Sequence, residues 1–583
     1  MTVSEDHASL RATDPITSAL VSGALASICD EMAHKLMRMS YSSIIRESED
    51  FGCALIDRTG RQISESRLST PLQSGPISGY VRGMMRAYEE TGIDILPGDV
   101  IMHNHPYYGA SHGPDVAFCV PLFVHGRLEA FSVTTAHHLD IGAATPGSCG
   151  IVDAQDAYAE GLQFKAIKAY EEGKRNEWVW RLIRDNIRVS HVVVGDMDAQ
   201  ISAARLGAQR YLELVEKFGL GVLRSAIEES LDYAERRLRA KIESLPDGTY
   251  SAEGFVDGFL EMEDERYRRL RIAVELRIQG SDILIDLAGT APQVDRPINM
   301  PFEGTVDIAT YVVIRSVLLD SDLEDVVPAN AGLYRPITVS APLGCLANPV
   351  YPAPVIARFC PGNVLAATVL SALGQVLPER VSAGVGNLKV VAYSGQSTAY
   401  GNWVYMDITE GSYGGRHGKD GMDAVDTLYA NTRNNPIEDI EAHYPLRVER
   451  YELNEDAAGP GQWRGGVGSV RDMRFLEAGG FSVEGDGDLV PPRGAFGGFD
   501  GTPGATVLNP GTPEERPIGS MSPYRKVDAG TVLRTVSPCG GGYGPPQARD
   551  SERVLEDLRD DLISNETAHD VYGVDDPHAR TTA

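Results

Sequence analysis

Residues 111–140, SHGPDVAFCVPLFVHGRLEAFSVTTAHHLD, contain two apolar runs separated by a His-Gly pair. The runs at 116–124 and 128–135 are rich in residues that favour strands, and residues 125–126 give a short turn signal between them. This pattern predicts a β-hairpin. Its open end carries His, Asp and Ser side chains, so we expect the chemistry there and a large scaffold around it.

The register of this hairpin decides which side chains meet at its open end. If the turn centres on Gly126, residues equally spaced from it face each other, so Asp115 lies opposite His137 and His112 falls near Asp140. Facing residues have Cβ atoms about 4.5–5.5 Å apart, a separation that suits two ligands of one ion. A slip of one residue would send these side chains to opposite faces.

Two imidazoles and a carboxylate are a common set of catalytic metal ligands that leaves positions open for water. Such a set suits Zn, Mn or Fe, and the ion would lower the pKa of a bound water and polarise a substrate carbonyl. The alternative is that these are hydrogen-bonded loop residues, because His-x-x-Asp is a short pattern. Nearby His103, His105 and His138 could orient the ligands.

The chain has 583 residues, more than a single core of about 250–300 residues accommodates. We predict an α+β fold of several subdomains with mixed and antiparallel sheets and long N-terminal helices. The expected parts are an α/β part at 1–245 that includes the hairpin, a middle α+β part at 246–382, and a Gly-rich, mostly β part at 383–583 that ends in short helices.

Helices and strands are expected from hydrophobic periodicity and from turn residues. Asp14 and Pro15 start a long helix that ends near Ser40. The other predicted helices are 75–92, 178–187, 196–218, 220–242, 306–319 and 363–377, and the predicted strands include 51–56, 100–103 and several between 248 and 288.

The formal net charge of −29 argues against nucleic acid or an acidic membrane as a partner, since both are themselves anionic. Seven scattered cysteines without a C-x-x-C pair are typical of a reducing compartment. The polar start of the chain, MTVSEDHASLRATD, is unlike a secretory signal. These features predict a cytoplasmic protein.

Three further motifs carry weaker signals. Cys149 follows a Gly-Ser pair and could be a nucleophile, but no base for it is identifiable. The segments PPRGAFGGFDG at 491–501 and SPCGGGYGPP at 537–546 lack the strand–helix context and the Lys-Ser/Thr of a phosphate-binding loop. We predict that their glycines form turns.

Nine ordered segments give the chain a resemblance to a known family. They are EDFGCALID at 49–57, HPYYGASHGPD at 105–115, TTAHHLDIG at 134–142, EGLQF at 160–164, GDMDAQISAA at 195–204, NPVYPAPVIAR at 348–358, NNPIEDIEAHYPLRVERYEL at 434–453, GPGQWRGGVGSVR at 459–471 and CGGGYGPP at 539–546. On these segments the chain resembles the hydantoinase B/oxoprolinase family over nearly its whole length.

The resemblance implies a metal site made of His112, Asp115, His137 and Asp50. Candidate catalytic groups beside the metal ligands are His138, His105 and Glu160, the last of which opens the EGLQF segment. His105 is a departure, because relatives usually have an Asp at this position and the substitution changes the charge beside the site.

The resemblance also implies a function shared with a partner. Family members act with a hydantoinase A-like, ATP-binding partner, in a heterotetramer or larger assembly, and receive Mg-ATP through that partner. The expected activity is ATP-dependent ring opening of a hydantoin, 5-oxoproline or a lactam. The alternatives are an ATP-dependent ketone carboxylase of the acetone or acetophenone type, and a scaffold protein whose metal is structural.

Overall fold

The computed structural model describes residues 14–148, 152–319, 327–428 and 430–575. Its helices are α1 Pro15–Met39, α2 Ser43–Arg46, α3 Pro71–Ser74, α4 Ile77–Thr91, α5 Glu177–Asn186, α6 Ser190–Phe218, α7 Leu220–Glu243, α8 Asp307–Leu318, α9 Phe359–Leu373, α10 Ile437–His443, α11 Ser551–Arg559 and α12 Asn565–Asp570.

The strands are β1 Phe51–Asp57, β2 Gln62–Glu65, β3 Val100–His103, β4 Asp115–Val124, β5 Arg127–His137, β6 Ile167–Glu171, β7 Lys174–Arg175, β8 Gly248–Gly258, β9 Arg268–Gln279, β10 Asp282–Asp286, β11 Ile337–Ser340, β12 Lys389–Ser397, β13 Gly401–Thr409, β14 Leu446–Leu453, β15 Ser469–Phe475, β16 Gly479–Glu484, β17 Ala505–Leu508, β18 Arg516–Ile518, β19 Ser522–Val527 and β20 Val532–Val536.

Helix α1 starts and ends where the sequence predicts. The Asp14 carboxylate accepts the backbone N–H groups of Ile16 and Thr17, which caps the first turn. By length and composition α1 is apolar enough to cross a membrane. Its buried face, however, packs against α6, α7 and β1. The apolar stripe of α1 therefore belongs to the core of this fold.

The N-terminal sheet has seven antiparallel strands in the order β2-β1-β5-β4-β3-β6-β7. Helices α1 and α6 cover one face of it. On the other face α4 contributes apolar side chains to a cluster with residues of β4 and β5, including Ala117 and Val133. The predicted hairpin is thus the centre of the sheet, with helices on both sides.

The hairpin register at the open end is the one expected: Asp115 pairs with His137. The turn and the pairing next to it, however, differ from the prediction. His125 and Gly126 both have positive φ, 50° and 74°, as a two-residue type I′ turn requires. Next to the turn Phe123 pairs with Leu128, and a β-bulge then makes Leu122 pair with Ala130.

The bulged residue is Glu129, and its side chain is buried. Both of its carboxylate oxygens accept from the guanidinium of Arg224 on α7, at 2.8 and 2.5 Å. The bulge restores the register that the tight turn would otherwise shift by one residue. An ion pair with α7 therefore holds the alignment of the hairpin.

The middle and C-terminal parts contain three more sheets. Their strand orders are β11-β10-β9-β8, β13-β12-β16-β19 and β14-β15-β20-β17-β18. The first is mixed, because β10 and β11 are parallel, and the other two are antiparallel. The α+β fold is confirmed. The three-part division stays a prediction, and one apolar cluster contains residues from Val21 to Met521.

Helix α9 begins at Phe359, four residues before the predicted start. The carboxylate of Glu484 accepts the backbone N–H groups of Phe359 and Cys360 at 3.1 and 3.2 Å. Such a contact satisfies amides that have no partner inside a helix. Since Glu484 is distant in sequence, local signals do not place this helix start.

The prediction that the glycines of the two Gly-rich segments form turns is confirmed at 495–498, where the Gly498 N–H donates to the Ala495 carbonyl, and is wrong for Gly540, Gly541 and Gly542. Residues 540–544 are an extended segment enclosed by other backbones, and Gly540, Gly541 and Gly542 each donate to a different loop: to Gly466, Gly384 and Phe499 respectively. A Cβ on Gly541 would lie 2.2 Å from the Arg493 carbonyl oxygen. These glycines are needed for close approach of backbones.

A methyl group at this place should disrupt the C-terminal part. We expect Gly541→Ala to lower the free energy of unfolding by about 1–3 kcal/mol or more, because backbone on both sides must shift. The matched control is Gly221→Ala in α7, where a Cβ meets nothing within 4 Å. Thermal unfolding measures both, and equal melting temperatures for the two variants would contradict this packing.

Two buried acids have their pKa values raised by burial. The pKa of Glu484 rises to about 8, and that of Asp426, which accepts the Thr427 and Thr432 amides, to about 7. In the unfolded chain both groups lose their protons at lower pH. The stability that they contribute is therefore complete below their unfolded pKa and is lost as pH rises through 7 and 8.

We accordingly expect the urea midpoint to fall between about pH 5.5 and about pH 8.5, and to fall less steeply in the double variant Glu484→Gln, Asp426→Asn. Each group can contribute up to about 1.4 kcal/mol per pH unit between its two pKa values. Equal slopes for the two proteins would show that these carboxyls do not titrate as their burial implies.

Candidate metal centre

Close glycine contacts hold the loop that carries His112. Gly109, with φ +85°, lies so close to α4 that a Cβ on it would be 2.2 Å from the Gly79 carbonyl oxygen. Gly304, in the turn Phe302–Val306, approaches the Gly109 carbonyl from the other side, with its own Cβ position 2.9 Å away. The loop is thus fixed between α4 and this turn before its side chains are considered.

Three side chains converge at the open end of the hairpin. His112 Nε2 lies 3.0 Å and His137 Nδ1 2.8 Å from the same oxygen, Asp115 Oδ1. The ligand atoms of the three residues are all within 4.8 Å of one another, and each side chain is almost completely buried. His112, Asp115 and His137 could therefore hold a metal ion.

The contacts that His112 and His137 make on the side away from Asp115 are compatible with a metal ion bound on the other side. His112 Nδ1 donates to the Ile356 carbonyl at 2.7 Å, which in the neutral ring leaves a lone pair on Nε2, 3.0 Å from Asp115 Oδ1. His137 Nε2 lies 2.8 Å from Ser148 Oγ and His137 Nδ1 lies 2.8 Å from Asp115 Oδ1, so the neutral ring donates on one of the two sides. With the Ser148 proton on the Met406 sulfur, the donor is Nε2.

With those protons placed outside, both inner nitrogens present lone pairs to a carboxylate oxygen at 2.8–3.0 Å. Three acceptors this close repel one another unless a positive charge lies between them. Burial lowers the pKa of His112 to about 4, which keeps the imidazole in the neutral form that binds metals. The residues present therefore fit a divalent ion.

Asp115 is held by four side chains in addition to the two histidines. Its Oδ1 accepts from Gln73 Nε2 at 2.8 Å, and its Oδ2 accepts from Ser111 Oγ at 2.6 Å and from Arg358 Nη2 at 3.1 Å; Tyr80 donates to its backbone carbonyl.

Asp50 lies at the edge of this group, at the entrance to β1. Its Oδ2 is 3.9 Å from His137 Nδ1, and its Oδ1 accepts from Thr70 at 3.3 Å. Burial, with a further contribution from the charge of Asp115, raises the pKa of Asp50 to about 6. The structure thus brings Asp50 next to the three converging side chains, and its part as a fourth ligand stays a prediction.

The other histidines face elsewhere. His138 directs Nε2 to Gln200 of α6 at 3.0 Å, on the opposite face of the sheet from His137, because successive strand side chains alternate. His103 contacts the Tyr108 carbonyl. His105 packs against Tyr108 and Tyr351, and burial lowers its pKa to about 4. The geometry gives none of them a place among the ligands.

Three further sequence predictions concern Asp140, Glu160 and Cys149. Asp140 does not meet His112: its carboxylate accepts from Gly142 and from Arg188, so this expectation is wrong. The strand pairing ends at His137, and one further backbone bond joins the His138 N–H to the Pro114 carbonyl. Glu160 contacts the backbone amides of 355–356 and none of the candidate ligands. Cys149 lies outside the described residues.

Sequence reasoning missed the groups that support the ligands. They are Gln73, Ser111, Ser148, the Ile356 carbonyl and Arg358. Of these, only Arg358 could have been identified from the sequence. It is a single charged residue in an apolar stretch, and such a residue must be paired if it is buried. The others are ordinary polar groups whose contacts are formed between distant segments.

Comparison with known proteins gives consistent matches. The Hydantoinase B/oxoprolinase family model matches residues 14–546. A protein of Pseudomonas sp. (strain NS671), provisionally named as the B-type subunit of a D-/L-hydantoinase, is 58% identical over 98% of this chain and 97% of its own. The crystal structure of ATP-dependent caprolactamase from Pseudomonas jessenii has a TM-score of 0.87 at 29% identity, and the match covers 97% of each chain.

A nucleotide-free acetone carboxylase structure also reaches a TM-score of 0.87, at 16% identity over 96% of this chain and 79% of the other. At that identity the likeness shows the fold alone. The fold of this chain therefore also occurs in an acetone carboxylase.

Arg358 offers a test of the support around Asp115. We expect Arg358→Leu to weaken metal binding by about 10–100-fold, the usual effect of removing a group that orients a ligand. Arg471→Leu is the matched control, because Arg471 is an equally buried arginine paired with Asp407 in the C-terminal sheets. Metal content after dialysis against a chelator distinguishes them; equal loss in both variants would mean general destabilisation.

Proposed function

Because the chain belongs to the hydantoinase B/oxoprolinase family, we propose that it is the metal-containing subunit of an ATP-dependent enzyme that opens cyclic amides. The substrate class is a hydantoin, 5-oxoproline or a lactam. The observation that carries the proposal is the convergence of two imidazole nitrogens and a carboxylate oxygen in a buried site. The 58% identical relative named as part of a hydantoinase supports hydrolysis.

A bound Zn, Mn or Fe ion would supply Lewis acidity toward water and toward a carbonyl group. The chain's own residues prepare the place for it. The Ile356 carbonyl accepts the outer N–H of His112, and Ser148 Oγ lies where it would accept that of His137 once the inner nitrogen binds the ion. Ser111 and Arg358 hold the second oxygen of Asp115, which fixes the direction of the first.

The same burial excludes bulk water from the reacting groups. His112, Asp115 and His137 have exposed fractions of 2%, 0% and 2%. Electrostatic interactions inside such a site are stronger than in water. A neutral ring carbonyl that reached it would be polarised without competition from solvent.

We propose a hydantoinase A-like, ATP-binding protein as the partner, in a heterotetramer or larger assembly in the cytoplasm, with Mg-ATP held by that partner. The relative named as one subunit of a hydantoinase and the ATP-dependent caprolactamase support this arrangement. The Gly-rich segment that resembles a phosphate loop in composition, residues 540–544, is instead enclosed by backbone.

The test is to express the chain with its A-like partner and to measure ring opening of 5-oxoproline, hydantoin and caprolactam. We expect turnover that requires Mg-ATP and the bound metal. In Asp115→Ala, which removes a ligand, we expect a larger loss than the roughly 10–100-fold of a supporting residue. Thermal unfolding shows whether that variant is folded.

Other outcomes would point elsewhere. ATP hydrolysis that needs both bicarbonate and a ketone, with no ring opened, would indicate a carboxylase and contradict the hydrolase proposal. Asp115→Ala that no longer folds, while wild type shows no turnover, would indicate a structural metal.

A further inference from the structure

A segment without helix or strand connects the surface to the metal centre. We call residues 351–358 the strap; it begins at the partly exposed Tyr351 and ends at the buried Arg358. Pro352 and Pro354 have no backbone N–H, so this part of the strap cannot pair as a regular strand. Its shape must therefore be fixed by contacts from other segments.

The strap contributes two of the contacts that orient the candidate ligands. The Ile356 carbonyl accepts from His112 Nδ1 at 2.7 Å, and Arg358 Nη2 donates to Asp115 Oδ2 at 3.1 Å. The first of these determines which nitrogen of His112 keeps its proton and which presents a lone pair inward. The position of one backbone carbonyl thus controls a ligand.

Glu160 holds the part of the strap that immediately precedes that carbonyl. A single oxygen, Glu160 Oε1, accepts the backbone N–H of Val355 at 2.5 Å and of Ile356 at 2.6 Å. The side chain is only 3% exposed and belongs to the short helical turn Ala157–Glu160. That turn also binds the strap directly, because Ala157 N–H donates to the Pro352 carbonyl.

We propose that Glu160 is a positioning residue of the metal centre. By binding two consecutive amides, it fixes the strap immediately before the Ile356–Ala357 peptide, whose carbonyl accepts from His112 and whose N–H donates to the Pro297 carbonyl. Glu160 thereby helps to set the tautomer and direction of His112. This assignment replaces the catalytic part expected of Glu160 from sequence. It rests on the metal centre proposed above, since the effect of Glu160 is exerted on a ligand of that centre.

The simpler explanation is that Glu160 only satisfies buried amides. Asp257 provides a matched control, because its fully buried carboxylate accepts the consecutive amides of Asp488, Leu489 and Val490 at 2.6–3.0 Å. The Asp257 contacts lie at the loop after β16 and do not touch His112, Asp115 or His137. If amide satisfaction were the whole role, the two acids would behave alike.

The experiment uses the full-length chain, freed of metal and titrated with Co²⁺, whose visible absorption reports the geometry of its ligands. We expect Glu160→Ala to weaken Co²⁺ binding by about 10–100-fold and to change the visible bands. Glu160→Gln keeps an acceptor oxygen and should bind as wild type does. Asp257→Ala should lose thermal stability and retain wild-type affinity and spectrum.

Several results would overturn the inference. Wild-type affinity and spectrum in Glu160→Ala, with stability lowered as in Asp257→Ala, would leave Glu160 a structural role only. If Glu160→Ala does not fold, Glu160→Asp takes its place: it retains a carboxylate one methylene shorter, and wild-type binding by it would also contradict the proposal. No Co²⁺ binding by wild type would instead overturn the metal centre itself, and the inference with it.

Discussion

The pairing of Asp115 with His137 across β4 and β5 is the constraint on which the site depends. Facing side chains on one sheet surface are close enough to share an ion, whereas a shift of one residue would place them on opposite surfaces. That register is set at the far end of the hairpin, by a two-residue turn and by the bulge at Glu129. Arg224 on α7 holds the bulge, so a helix outside the sheet takes part in aligning the ligands.

The remaining parts of the centre come from segments that the hairpin does not contain. His112 belongs to a loop that packs closely, through glycine contacts, between α4 and a turn near residue 304. The strap brings a carbonyl to His112 and a guanidinium to Asp115. Each contact restricts the orientation of one ligand side chain. Together they direct the ligand atoms of His112, Asp115 and His137 toward one point. This is preorganisation, in which folding supplies in advance the geometry that binding needs.

The sequence predicts the hairpin from local periodicity, and it predicts the three residues that converge at its open end. The predicted register at the open end is also the observed one, but only because the bulge offsets the two-residue turn. The sequence does not predict the bulge, because the stretch around Glu129 has no feature that distinguishes a bulge from a regular strand. It also misplaces the start of α9, which depends on the distant Glu484, and it assigns turns to glycines that serve close packing. The contacts of the strap escape prediction, because they join it to segments distant in sequence and its two prolines leave no periodicity that would show a buried face.

The Gly-rich segment at 540–544 has a consequence for the order in which the chain can fold during synthesis. Every loop that encloses it, around residues 384, 415, 459–466 and 493–499, precedes it in the sequence. Until the ribosome has released residue 544, those loops lack the backbone partner that fills the space between them. The C-terminal part therefore cannot close progressively from its N-terminal side. It must wait for its central segment, and its completion is a late event of biosynthesis.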